Sequence, residues 1–173
     1  RLCIVTDSTV DGLYAAQILK FLEGKCRKAV KYVFPAGEEH KNLDTVRDVY
    51  RFLIEEGFDR KDMLLALGGG VCGDLTGFVA ATYLRGIDFV QIPTTLLAQA
   101  DSSIGGKTGV DFDSYKNMVG AFKMPRLVYV NLSVLKTLEE RQFYSGFAEV
   151  MKSALIKDAP FYEWLIENMY EIC

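Results

Sequence analysis

An α/β fold with a mostly parallel, Rossmann-like sheet flanked by helices is predicted for this chain, and three observations predict it. Apolar runs of strand length alternate with segments whose apolar residues recur at helical spacing. A glycine-rich turn, Gly68-Gly69-Gly70-Val71-Cys72-Gly73-Asp74, joins one apolar run to the next helical segment. Polar clusters follow the ends of the apolar runs. In an open α/β sheet this gathers them at the carboxyl edge of the strands, where ligands bind.

The elements follow in order. Residues 2–6 read as the first strand, and Asp7-Ser8-Thr9 supplies turn and cap chemistry. Tyr14, Ile18 and Leu22 mark the first helix, closed by Gly24. Residues 29–34 form the second strand and 35–42 a loop. Val46, Val49, Tyr50 and Leu53 mark the second helix, ended by Gly57. A strand over 63–67 leads into the glycine turn, and a helix is predicted over 74–83. A strand over 89–92 precedes a short helix after Thr94. Residues 108–124 are rich in glycine and polar side chains and read as a binding loop. A last strand is predicted over 127–131, and the chain turns helical from Ser133. Strands stop near Leu138. The expected division is an α/β domain over 1–138, then the first helices of a second, all-α domain over 139–173.

Composition narrows the function classes. Half of the 173 residues are apolar, enough for a sizeable core. The net charge of -3 gives no support to binding of nucleic acid or of a membrane surface. The notable cations, Arg85, Lys107, Lys116 and Lys152, stand singly, as suits a small anionic ligand. Cys3, Cys26, Cys72 and Cys173 lack C-x-x-C spacing and read as reduced thiols of a cytoplasmic protein. Cys72, inside the glycine turn, reads as a small filler. No signal peptide or membrane-spanning run is seen. Phe161, Leu165, Met169 and Ile172 form an apolar stripe at helical spacing near the end of the sequence. Either a terminal helix lies on its own domain, or the chain is the first part of a longer protein.

The glycine turn has two readings. Strand, glycine-rich turn and helix start form a geometry that holds a pyrophosphate, because backbone and ligand approach closely and the helix N-terminus favours an anion. The same pattern also makes a plain tight turn, and its spacing is not G-x-G-x-x-G. After the next strand come Thr94-Thr95, then Asp101-Ser102-Ser103-Ile104-Gly105-Gly106-Lys107, then Lys116-Asn117.

Several blocks, in order and spacing, resemble the 3-dehydroquinate synthase family of sugar-phosphate cyclases. They are PAGEEHK, GGGVCGDLTGFVAATYLRG, QIPTTLLAQADSSIGGKTGV, YKNMVGAF and SGFAEVMKSALI. The resemblance runs from about Val5 to about Lys157. It implies that residues 1–138 bind NAD and that 139–173 open a helical metal and substrate domain. It implies the conversion of 3-deoxy-arabino-heptulosonate 7-phosphate to 3-dehydroquinate and phosphate, in the shikimate route. NAD would accept and return a hydride, and Zn2+ or Co2+ would act as a Lewis acid. The full-length protein would be a homodimer.

Residue roles carry over on the matching blocks. Asp7 has two compatible readings, a helix cap and a contact to the adenosine ribose. Glu38 and Lys41, surface charges if taken alone, match G-E-x-x-K and are implied cofactor contacts. His40 between them maps to no family role, and neither catalysis nor a metal is assigned to it. Gly68, Gly69, Gly70, Gly73 and Asp74 form the pyrophosphate and nicotinamide-side turn, though Asp74 also suits an N-cap. Thr94 and Thr95 could cap the next helix and are implied cofactor contacts. Asp101 would hold substrate hydroxyls. Lys107 and Asn117 would hold the substrate and its phosphate, with Lys107 also near the cofactor. Lys116 and Thr137 are further cofactor contacts. Arg85 matches an arginine that reaches the phosphate site of a neighbouring subunit, and alone it is a surface residue at a helix end. Glu149 and Lys152 share a helix face, and a plain ion pair is the bland reading. The resemblance makes Glu149 a metal ligand and Lys152 a substrate contact, with two histidine ligands expected downstream of Cys173. Lys123, Met124 and Asp111 depart from the common pattern, Asp111 standing where asparagine is usual.

Two other readings are kept. One is another sugar-phosphate cyclase or a glycerol-dehydrogenase-like enzyme, the latter expected to lack the joint DSSIGGKTG and KN blocks. The other is a non-catalytic NAD-binding module.

Overall fold

The computed structural model describes residues 1–172. Five parallel strands form the central sheet, in the order β2-β1-β3-β4-β7. They are β1 (Leu2–Asp7), β2 (Ala29–Phe34), β3 (Met63–Gly68), β4 (Asp88–Pro93) and the two-residue β7 (Leu127–Val128). Between them run α1 (Ser8–Val10), α2 (Ala16–Leu22), α3 (Leu43–Glu55) and α4 (Gly70–Thr82). A π-helical turn, Asp11–Ala15, joins α1 to α2, and another, Ala98–Ser102, follows β4. This is the predicted Rossmann-like class.

Both faces of the sheet are covered, which is why its inner strands read as nearly continuous apolar runs. Along β1, Cys3 and Val5 pack under α3 and α4, against Val46, Val49, Leu53, Leu75 and Val79. Ile4 points to the other face, with Ala15, Leu65 and Leu67 under Ile18 and Leu19. Each fully buried side chain of this kind contributes about 1.5–3 kcal/mol. No described helix is long and apolar enough to cross a membrane.

Four expectations are corrected. The predicted binding loop over 108–124 is an antiparallel hairpin, β5 (Lys107–Phe112) and β6 (Tyr115–Phe122). Its glycines and polar residues mask the strand pattern, yet Val110 is fully buried against α4. The helix expected from Asp74 begins at Gly70 and closes at Thr82, so Gly70 and Gly73 lie in its first turn. Two glycines there lower intrinsic propensity, and packing overrides it. The strand expected over 127–131 pairs only at Leu127–Val128. Finally, the terminal stripe is broken at Asn168 into α6 (Ala159–Glu167) and α7 (Met169–Ile172).

After β7 come a 3₁₀ turn, Leu132–Thr137, and the 18-residue α5 (Glu140–Lys157). Leu165, Met169 and Ile172 fold back onto Phe147 and Ala154 of α5 and form a separate apolar cluster. Phe161 stays partly exposed, stacked on Trp164.

The hairpin reaches α4 through Gly77. A Cβ there would collide with Thr108 Cγ2 and come within 3.1 Å of Phe89. Gly77→Ala should therefore lower Tm, although alanine favours a helix over glycine by about 1 kcal/mol. Thermal unfolding checks this; a rise in Tm would mean that the hairpin does not press on the helix there.

Candidate active site

The carboxyl ends of β1, β2, β3 and β4 deliver their loops to one groove of about 660 Å³. Asp7 ends β1, Glu38 and Lys41 follow β2, Gly69 and Gly70 follow β3, and Thr94 and Thr95 follow β4. Asp74 and Thr137 complete the predicted residues on its wall. Gly68 and Gly73 lie just beneath, around a void of about 10 Å³. Gly69 caps α4 without any side-chain hydrogen bond, so a helix N-terminus opens to the groove.

Asp7 serves as a cap: its Oδ1 accepts from the backbone N–H of Thr9 at 2.9 Å and of Val10 at 3.0 Å. Oδ2 faces the Gly68 side of the groove. Thr95 caps the helical turn after β4, its Oγ1 accepting from Ala98 N–H at 3.1 Å. Thr94 is buried, and its N–H donates to Gly68 O at 3.0 Å, pinning the two loops together. Asp74 is not an N-cap; that position belongs to Gly69.

A second pocket, of about 480 Å³, opens beside the groove. Asp101, Lys107 and Asn117 line it. Asp74 and Ser102 line both spaces, so groove and pocket meet there. Among the described residues the Lys107 ammonium has no hydrogen bond or ion pair. An unpaired cation at a pocket wall fits an anionic ligand oxygen.

The wall between the spaces is held by Lys41. Its side chain is buried, and its Nζ donates to Asp74 Oδ2 at 2.7 Å and to Asn117 Oδ1 at 2.6 Å. Burial raises the Asp74 carboxyl above its ordinary value, while the hydrogen bond and charge of Lys41 pull it back down. Asn117 sits in the left-handed region, at φ 56°.

α5 carries two more predicted residues to the pocket edge. Gly146 makes this possible: a Cβ there would collide with Leu97 N and lie 2.7 Å from Leu96 Cβ. Nearly two turns further on, Lys152 pairs with Glu149 and lies 3.8 Å from Asp101 Oδ1. The Glu149 hydrogen bond and the nearby charges of Glu149 and Asp101 raise the Lys152 ammonium above its ordinary value. Glu149 has no companions suited to a metal: the described residues contain no group of three His, Cys, Asp or Glu side chains that could hold an ion.

Two predicted residues stand apart. Lys116 is mostly exposed and lines neither space, but it pairs at 3.3 Å with Glu38 Oε1 on the groove wall. Arg85 is exposed in the turn Tyr83–Arg85 after α4, at the opposite end of that helix from the glycine turn. His40 lies in a 3₁₀ turn near Glu39. Cys72 is buried, its thiol pushed up by burial, consistent with a filler.

Sequence reasoning missed two residues. Tyr14 lines the groove and its hydroxyl contacts Val134 O at 3.2 Å and Thr137 Oγ1. In the sequence it reads only as a helix-face apolar residue. Ser102 stands where groove and pocket meet; its position within Asp101-Ser102-Ser103 was the available signal.

Fold and site together define a Rossmann-like α/β domain with a helix-capped groove opening onto a cation-bearing pocket. A family model described as 3-dehydroquinate synthase N-terminal matches residues 31–145, and the chain belongs to that family. It is 53% identical over 172 residues to 3-dehydroquinate synthase of Acetivibrio thermocellus, covering 99% of this chain and 48% of the relative. Identity to 3-dehydroquinate synthase of Geotalea uraniireducens is 48%, with the same two coverages. The chain thus spans about half the length of the curated relatives it matches. Among solved structures, 2-epi-5-epi-valiolone synthase from Streptomyces hygroscopicus subsp. jinggangensis, with NAD+ and Zn2+ bound, superposes with TM-score 0.91 at 36% identity. The match covers 99% of this chain and 48% of that one. A 2-deoxy-scyllo-inosose synthase complexed with carbaglucose-6-phosphate, NAD+ and Co2+ gives 0.78 at 33%, covering 84% and 40%. Glycerol dehydrogenase from Schizosaccharomyces pombe, at 17% identity and TM-score 0.71 over 89% of this chain and 37% of that one, shares the fold.

Gly146→Val should shift α5 and lower Tm, because the helix cannot keep its contact with the Leu96-Leu97 backbone. Thermal unfolding and a structure of the variant check this. An unchanged Tm with Lys152 still beside Asp101 would show that the contact does not set the helix position.

Proposed function

We propose that this chain is the NAD-binding and phosphate-binding part of a 3-dehydroquinate synthase. The observation that carries the reading is the continuity of groove and pocket at Asp74, with the unpaired Lys107 ammonium on the pocket wall. A dinucleotide in the groove has its reactive end directed to that junction, and a phosphorylated keto-sugar acid in the pocket meets it there. The groove residues fit the cofactor: the α4 N-terminus receives a pyrophosphate, and the free Asp7 oxygen receives a ribose hydroxyl.

Bound NAD supplies reversible hydride acceptance. The chain's own residues do the rest assigned to it. Lys107 holds the substrate phosphate as a point charge. Asp101 accepts from substrate hydroxyls, and Asn117 donates to a substrate oxygen. Lys152 keeps its proton beside Glu149 and Asp101 and faces the substrate as a cation. Lys116 and Glu38 close the cofactor side as a pair, and Thr94, Thr95 and Thr137 contact the cofactor from the groove wall.

A catalytic zinc site takes about three protein ligands. Glu149 is one carboxylate, so residues 1–172 alone do not make a metal centre, and no step assigned to them runs through a metal. In the whole enzyme Glu149 is proposed as one ligand of Zn2+ or Co2+, the others coming from outside these residues. The whole enzyme is further proposed to be a cytoplasmic homodimer, in which Arg85 reaches the phosphate site of the neighbouring subunit.

Identity favours this activity over other cyclases: about 50% to the 3-dehydroquinate synthases against 33–36% to the two other cyclases. The test is phosphate release from the heptulosonate phosphate by the full-length protein, with NAD and a divalent metal. Lys107→Ala should lower kcat/KM by roughly 10- to 150-fold, the equivalent of a charged hydrogen bond. Full activity in Lys107→Ala would remove that lysine from the phosphate site. Preferred turnover of a different sugar phosphate would make the protein another cyclase. In calorimetry, Gly69→Val should weaken NAD binding at least about tenfold by filling the groove beside Thr95. Equal binding would take the glycine turn out of the site.

A further inference from the structure

The hairpin that carries Asn117 is irregular at one place. Val110 pairs with Val119, and Phe112 with Tyr115, so two steps along β5 answer four along β6. Between these pairs β6 has three residues, Lys116, Asn117 and Met118, where β5 has one, Asp111. Such bulges cluster beside active sites, where they re-aim a side chain. Here the bulge turns Asn117 into the left-handed region, which leaves its backbone N–H outside the ladder.

Asp111 replaces the missing ladder partner. Its Oδ1 accepts the Asn117 N–H at 2.7 Å. Its own N–H donates to Lys41 O at 2.8 Å, and it bridges to Asn42 as a lone parallel pair. One residue thus ties the bulge to itself and to the loop that carries Lys41. The side chain of Asn117 is oriented from the same loop, because Lys41 Nζ donates to its Oδ1 at 2.6 Å. With that oxygen occupied, the amide NH₂ is the group left for a ligand in the pocket, beside Lys107. A donor there recognises an acceptor oxygen.

We infer that Asp111 is a positioning residue: its carboxylate holds the β6 bulge so that Asn117 presents its amide donor to a phosphate or hydroxyl oxygen of the pocket ligand. The inference rests on the synthase reading for the identity of that ligand, and on the hairpin geometry alone for the placement. Asp111 touches neither ligand. Its effect should appear in substrate binding and spare the cofactor, since it lines neither the groove nor the pocket.

Three full-length proteins test this: wild type, Asp111→Ala and Asp111→Asn. Asp111→Ala should raise KM for the heptulosonate phosphate by about tenfold or more, with kcat reduced less, while the NAD Kd from calorimetry stays within about twofold. Asp111→Asn keeps an Oδ1 acceptor and should return KM to within about threefold of wild type. An unchanged KM in Asp111→Ala, or an Asn variant as impaired as Ala, overturns the inference. So does an equal loss of NAD affinity. Amide hydrogen exchange at Asn117, followed by NMR, reads placement without turnover. Exchange should be slow in wild type and in Asp111→Asn, and at least about tenfold faster in Asp111→Ala. Equal exchange in all three overturns it. If wild type releases no phosphate, the synthase reading fails, and the exchange pattern alone decides the role of Asp111.

Discussion

A buried ammonium organises this molecule. Lys41 is 4% exposed, and a charge so placed is costly unless it is paired and hydrogen-bonded. Its partners are Asp74 on α4 and Asn117 on β6. The loop after β2, the glycine-rich helix and the hairpin must therefore converge on one point. That point is the wall shared by groove and pocket. The geometry proposed for hydride transfer, with cofactor and substrate side by side, depends on this convergence more than on any one ligand contact.

Around that wall the work is divided by element. The parallel sheet supplies the groove, because its carboxyl edge collects the backbone N–H groups and short hydroxyl side chains that follow each strand. The hairpin and α5 supply charge. Lys107 begins β5 with its ammonium unpaired among the described residues, and α5 brings Lys152 to Asp101 across a glycine contact with the Leu96-Leu97 backbone. Close approach recurs at both places where charged elements meet the Rossmann core, at Gly77 under the hairpin and at Gly146 under α5. Small residues there set how near the cations come to the groove.

Much of the fold was legible in the sequence. Strand β2 was placed to the residue, and β1, β3 and β4 to within a residue or so at each end, because strands buried on both faces read as apolar runs. The hairpin was not, since a bulge and a pair of facing glycines erase the alternation that marks a strand. The start of α4 was placed late because its first turn carries two glycines, whose low helix propensity is overridden by packing on β3 and β4. The candidate site was legible as a set of residues, largely through family resemblance, but not as an arrangement. Lys41 reaches partners 33 and 76 residues away, and no periodicity encodes such distances. The role of Gly146 was hidden likewise, since a close helix approach leaves no local signature.

The central claim is that Lys41 couples the helix of the groove to the hairpin of the pocket. A double-mutant cycle on folding stability with Lys41→Met and Asp74→Asn tests it most directly. Lys41→Met alone leaves the part-buried carboxylate unpaired and should cost about 3 kcal/mol, while the double variant should recover part of that loss. A coupling energy of about 1–3 kcal/mol between the two sites agrees with the claim. Additive effects, with coupling near zero, would contradict it.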